Sequence, residues 1–207
     1  MVKRFVSGLL DENTYLVELQ ERVFVIDPGE GAEVFIDKLV GHREVTVLLT
    51  HAHIDHFCAL QRLDYDCVYL HALEKESLHA LEKESLLSPE KHLGYYLGLE
   101  TLSAESEKLC SPEKLPEPWK YIHTPGHTQG SVCYELEDGI LFTGDTIFSD
   151  SVGRTDLPGG STREMQRTLT SLKKYFAENP DIRILPGHGP ETIASKILVS
   201  NPFFRGL

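Results

Sequence analysis

The first third of the chain is a series of short apolar runs broken by turn residues, which is the pattern of strands. Residues 15–19 (Tyr-Leu-Val-Glu-Leu), 22–26 (Arg-Val-Phe-Val-Ile) and 45–49 (Val-Thr-Val-Leu-Leu) are its clearest members. Asp27-Pro28-Gly29 stops the second run with turn chemistry, and residues 33–40 predict a short helix before the third. Another strand is predicted at 68–70. A second group runs from 120–122 through 131–136 and 140–142, and 183–185 is the last clear strand. Residues 161–178 predict a helix with Ser161 and Glu164 set as a capping box, and 191–199 a final helix. Two β-rich halves with helices between them suit an α/β fold of two packed sheets covered by helices.

One segment breaks this rhythm. His71-Ala-Leu-Glu-Lys-Glu-Ser-Leu78 recurs identically from His79 to Leu86. Its Leu, Glu, Lys and Ala favour a helix. Eight residues advance a helix by about 800°, so the second copy is turned by about 80° from the first. At most one copy can therefore own a packed stripe. His71 and His79 are offered as extra metal ligands, but solvated helix positions are the expectation.

The 207 residues are most economically one domain spanning 1–207. With 41% hydrophobic and 25% charged residues the composition is that of a soluble globular protein. The net charge of −12, without a basic stripe, argues against nucleic acid as a partner. An anionic small molecule stays open, because divalent cations would reverse the local potential. Cys58, Cys67, Cys110 and Cys133 are scattered, which predicts reduced thiols and a cytoplasmic protein. The apolar stretch after Lys3 and Arg4 meets Asp11-Glu12-Asn13 too soon for a signal peptide. No run approaches the roughly 20 apolar residues of a membrane span, so no membrane partner is expected.

The chemistry is concentrated in Thr50-His51-Ala-His53-Ile-Asp55-His56-Phe57, directly after the predicted strand 45–49. A turn there lets His51, His53 and Asp55 face one way. Two neutral imidazoles with a carboxylate suit zinc, iron or manganese. Solvated loop histidines are the bland alternative. His127, Asp145 and His188, each in its own Gly-rich context further along, favour a metal site.

These motifs together resemble the metallo-β-lactamase superfamily. The resemblance rests on His-x-His-x-Asp-His, Thr124-Pro-Gly-His127-Thr-x-Gly130-Ser, Thr143-Gly-Asp145-Thr and Pro186-Gly-His188-Gly-Pro. Asp27-Pro28-Gly29 and Asn13-x-Tyr15-Leu16 match its N-terminal signatures. It implies an αββα sandwich of two mixed sheets flanked by helices. It also implies two divalent ions, zinc first, with iron or manganese as alternatives. His51, His53 and His127 would hold one ion, Asp55, His56 and His188 the other, and Asp145 both. Asp27 would orient histidines, or else be an ordinary Asp-Pro-Gly turn.

Within the superfamily, β-lactamases that use a cysteine ligand carry it where this chain has Asp145. The similarity is closer to short, single-domain, glyoxalase II-like thioester hydrolases, through Val152-Gly-Arg154-Thr-Asp-Leu-Pro-Gly-Gly160 and Asn201-Pro202-Phe203. The expected substrate is a small-molecule thioester such as S-lactoylglutathione. It would be attacked by a metal-bridging hydroxide, with Asp55 as the catalytic carboxylate that orients the attacking oxygen. Arg154 is the candidate for gripping the substrate's anionic end, with pairing to Asp156 or Asp145 as the alternative. Two departures are noted: Cys58-Ala59 stands where the family usually has two glycines, and only 19 residues follow His188, too few for the helical domain of longer glyoxalases II. The alternative reaction is persulfide dioxygenation by one Fe(II) on His51, His127 and Asp145. A non-catalytic metal-binding module is the third reading. The oligomeric state is left open.

Overall fold

A computed structural model describes residues 1–8, 10–74, 108–137 and 139–205. The chain divides into two compact units, Met1–Pro112 and Glu113–Leu207.

In the first unit six strands form one mixed sheet in chain order: β1 (Val2–Val6), β2 (Asn13–Leu19), β3 (Arg22–Ile26), β4 (Glu44–Leu48), β5 (Cys67–Tyr69) and β6 (Leu109–Cys110). The first three pair antiparallel, and β3 through β6 run parallel. The β3-to-β4 crossover is helix α1 (Ala32–Val40), with Glu33 in its first turn and Lys38 in its last, both favourable to the helix dipole. Leu16, Val23, Val25, Val47 and Val68 from the strands pack with Ile36 of α1 in a buried core. Full burial of such side chains contributes about 1.5–3 kcal/mol each.

In the second unit a five-stranded sheet has the order β11-β10-β9-β8-β7. These are β7 (Trp119–His123), β8 (Val132–Leu136), β9 (Ile140–Gly144), β10 (Arg183–Pro186) and β11 (Thr192–Ile193). Only β9 and β10 pair parallel. The crossover between them is helix α2 (Thr162–Glu178), whose Ser161 cap accepts from the Glu164 amide at 3.3 Å. Met165, Leu169, Leu172 and Phe176 recur at helical spacing and are all buried. They pack with Leu141, Ile184 and Phe204, the last from the short α4 (Pro202–Arg205) that follows α3 (Ala194–Ser200). Two mixed sheets flanked by helices is the architecture expected from the chain.

Several boundaries differ from expectation. The helix predicted over 191–199 starts only at Ala194, because Thr192 and Ile193 pair with β10 instead. Strand β1 has no counterpart in the apolar pattern, since an edge strand carrying Lys3 and Arg4 has no apolar run. Cys67 and Cys110, expected as reduced thiols, are joined in a disulfide; 43 positions apart in the chain, they meet because β5 and β6 are neighbours. Cys58 and Cys133 are free and buried. Among the described residues no helix is long and apolar enough to cross a membrane. The second copy of the octapeptide, including His79, lies outside the described residues. The first copy enters a helical turn at 72–74.

Candidate metal centre

Parallel neighbours place ligands together at their carboxyl ends, where open sheets generally bind. In the first unit, β3 runs out at Asp27 and β4 at Thr50 and His51. Thr50 donates both its amide (2.8 Å to Oδ1) and its hydroxyl (2.6 Å to Oδ2) to the Asp27 carboxylate. That hydroxyl has only one proton, so its 3.0 Å contact to His51 Nδ1 must be donated by the imidazole. Asp27 also takes His56 Nδ1 at 3.0 Å. One buried carboxylate thus sets two histidines to the tautomer whose lone pair is on Nε2, as ligation requires. Asp27 itself sits at φ 50°, a left-handed conformation that Asp tolerates better than most residues. It is more than a turn residue.

A single 3₁₀ turn, Ile54–His56, brings the rest of the cluster round. The His51 ring lies 4.7 Å from that of His53 and 4.2 Å from that of His56, centroid to centroid. Asp55 Oδ2 stands 3.6 Å from His56 Nε2. Asp27, His51 and His56 offer ligand atoms within 4.8 Å of one another.

Sequence reasoning missed two carboxylates in this unit. Glu12 is wholly buried, accepts from the Thr14 hydroxyl at 3.1 Å, and presses on Gly29, where any Cβ would meet its Oε2. Burial holds its carboxyl well above the usual range, partly offset by His56. Its position just before the Asn13-x-Tyr15 signature was the available signal. Glu74 is also wholly buried and accepts the Ala52 amide at 2.8 Å. His71 instead makes a local contact, taking the Leu73 amide on Nδ1 at 3.4 Å. Cys58 and Ala59, in place of the usual glycines, are both buried, and burial pushes the Cys58 thiol up to about 12.

In the second unit, Gly144 ends β9 with φ 47° and its carbonyl accepts the Gly187 amide at 2.8 Å. Asp145 and His188 therefore emerge side by side. Asp145 Oδ1 stands 3.7 Å from His188 Nε2, and Oδ2 stands 3.6 Å from His127 Nε2. These separations exceed an ordinary hydrogen bond of about 2.7–3.2 Å. They approach the roughly 3.3 Å that tetrahedral geometry with ligand bonds near 2.0–2.1 Å gives two donors on one ion. His127 donates Nδ1 to the Arg154 carbonyl at 2.8 Å, which again leaves Nε2 as the ligand atom.

The loop that supplies this carbonyl is tightly fitted. A Cβ on Gly153 would lie 1.8 Å from the Asp145 carbonyl and 3.0 Å from His127 Nδ1. Asn201 is wholly buried and donates Nδ2 to the carbonyls of Phe148 (3.1 Å) and Ser151 (2.9 Å), anchoring the loop's near half. This is the physical content of the Asn201-Pro202-Phe203 motif. The Arg154 side chain is exposed and forks onto Asp156 through two 2.8 Å hydrogen bonds. That pair holds the Asp156 carboxyl down at about 2.

The predicted ligands thus gather within each unit: His51, His53, Asp55 and His56 in the first, His127, Asp145 and His188 in the second. Both sets consist of imidazole and carboxylate donors, with the tautomers of His51, His56 and His127 fixed from behind, which fits divalent transition metals.

Comparisons with known proteins agree. The metallo-β-lactamase superfamily model matches residues 7–188 and so runs through both units. The probable metallo-hydrolase YqgX of Bacillus subtilis is 33% identical, over 99% of this chain and 97% of its own. Hydroxyacylglutathione hydrolase GloC of Haemophilus influenzae is 29% identical, over 90% of this chain and 89% of its own. Among solved structures, TTHA1623 in a di-iron-bound form has a TM-score of 0.78 at 32% identity, covering 97% of this chain and 99% of that one. The BLEG-1 B3 metallo-β-lactamase also has a TM-score of 0.78, at 31% identity and 99% coverage of both chains. The chain belongs to the metallo-β-lactamase superfamily and is kin to its metallo-hydrolases.

Proposed function

We propose that the protein is a glyoxalase II-like thioesterase acting on S-lactoylglutathione or a related small-molecule thioester. In this reading the seven ligands serve two ions as the family pattern implies: His51, His53 and His127 for one, Asp55, His56 and His188 for the other, Asp145 for both. The observation that carries it is the Asp145 carboxylate, which directs one oxygen to each of two histidines. Divalent ions held by such a set supply Lewis acidity, activating water near neutral pH and polarising a carbonyl. The chain's own groups do the rest. Asp55 orients the attacking water, and Asp27 keeps His51 and His56 in the ligating tautomer. A thiolate leaving group has an ordinary pKa of about 8.5, so no dedicated general acid is needed. Arg154 meets the anionic end of the substrate. The similarity to GloC supports the glutathione thioester class.

The kinship with the BLEG-1 β-lactamase favours a second reading, β-lactam hydrolysis, at the same centre. A substrate panel separates the two. Purified, metal-loaded protein should release free thiol from S-lactoylglutathione with a kcat/KM at least about tenfold above that for penicillins. Faster cleavage of a β-lactam than of every thioester would make the second reading the right one. Elemental analysis of the same preparation identifies the metals.

A further inference from the structure

Ala52 stands between two ligands, His51 and His53, and its side chain has no chemistry to offer. Its peptide does. The Ala52 amide is donated to Glu74 Oε2 at 2.8 Å, and both residues are buried, Glu74 completely and Ala52 to within 1%. A carboxylate is seldom taken wholly out of water, and this one reaches across 22 positions to hold a single peptide plane in the ligand cluster. A backbone amide bonded to a carboxylate is a strong, directional contact. Rotation of that plane would swing the His51 and His53 rings, now 4.7 Å apart, out of common aim.

We propose that Glu74 is a positioning residue of the metal centre: by fixing the Ala52 peptide, it holds His51 and His53 in the geometry that binds one ion. This rests on the metal reading above but not on the identity of the substrate. Glu82, the identical residue of the second copy, serves as a built-in control.

The test is competitive zinc titration of the full chain against a chromophoric chelator, with Glu74→Ala, Glu74→Gln, Glu74→Asp and Glu82→Ala beside the wild type. Residues that orient ligands typically contribute about 10–100-fold to metal affinity. Glu74→Ala should weaken one of the two zinc ions by that factor and leave the other within about threefold. Glu74→Gln keeps an acceptor oxygen in place and should restore affinity to within about threefold of wild type. Glu82→Ala should change nothing. If Glu74→Ala does not fold, Glu74→Asp carries the test, because the shorter side chain withdraws the acceptor and should weaken the same ion. Wild-type affinity in Glu74→Ala, or in Glu74→Asp where Ala is unfolded, overturns the proposal. Equal loss in the Gln and Ala variants also overturns it, because charge rather than positioning would then be at work. A wild type that binds two zinc ions but cleaves no thioester refutes the substrate reading alone.

Discussion

Asp145 directs its two carboxylate oxygens to two different histidines, Oδ2 to His127 at 3.6 Å and Oδ1 to His188 at 3.7 Å. In the two-ion reading proposed above, each oxygen serves a different ion. Asp145→Ala should therefore reduce metal content more than His127→Ala or His188→Ala, each of which removes a ligand to one ion. Elemental analysis of the purified variants reads this out, the wild type carrying close to two ions per chain. One iron per chain, unchanged by His56→Ala or His188→Ala, would contradict the two-ion assignment.

Gly153 has no room for a methyl group. Its Cβ would lie 1.8 Å from a backbone oxygen, that of Asp145, and backbone cannot swing aside as a long side chain could. Gly153→Ala should lower stability by about 2–3 kcal/mol, the scale of overpacking, and reduce metal content as well. Urea unfolding and elemental analysis test the two halves of this expectation. Wild-type metal content and stability together would mean that the loop yields.

Arg154 has two separable roles, one for its carbonyl and one for its side chain. The carbonyl orients His127 whatever the side chain is, while the guanidinium is exposed and paired with Asp156. Arg154→Ala should thus keep both metals. If the guanidinium exchanges Asp156 for a substrate carboxylate, KM for glutathione thioesters rises severalfold with kcat largely kept. Steady-state kinetics on an anionic and an uncharged thioester would show it. Equal KM changes for both would place the pocket elsewhere.

Burial raises the Glu12 carboxyl well above its ordinary 4.5. In the metal-free protein the folded state therefore holds this proton more tightly than the unfolded chain does. Its contribution is fully present below about pH 4.5 and is lost as pH rises through the raised value, with a slope of at most about 1.4 kcal/mol per pH unit. Glu12→Gln is neutral throughout, so its stability relative to wild type should grow from pH 5 to pH 8. Urea midpoints in chelator across that range provide the measurement. Parallel pH profiles would rule Glu12 out as the group responsible.

The candidate ligands are legible in the sequence because they fall in four short motifs, one holding His51, His53, Asp55 and His56 and one each for His127, Asp145 and His188. Asp27 was half legible: Asp-Pro-Gly spells a turn, and only the fold shows that the carboxylate faces Thr50 and His56. Glu74 was hidden, because a glutamate in a Leu-Glu-Lys-rich repeat reads as solvated until a distant amide is seen to meet it. The Cys67–Cys110 pair was equally hidden, since parallel strands join residues that chain spacing keeps 43 positions apart. Strand β11 is too short to compete with a helical pattern on local grounds, and its pairing with β10 decides the matter.

The Nδ1 atoms of His51, His56 and His127 are already engaged, by Thr50, Asp27 and the Arg154 carbonyl. An acid entering these rings can add only at Nε2, the same atom that an ion would take. Protons and metal are thus rivals for identical nitrogens, and every ion that loads onto a protonated ring must expel the proton it finds there. Only a ring that carries this extra proton makes metal uptake an exchange; a neutral ring offers its Nε2 lone pair at once.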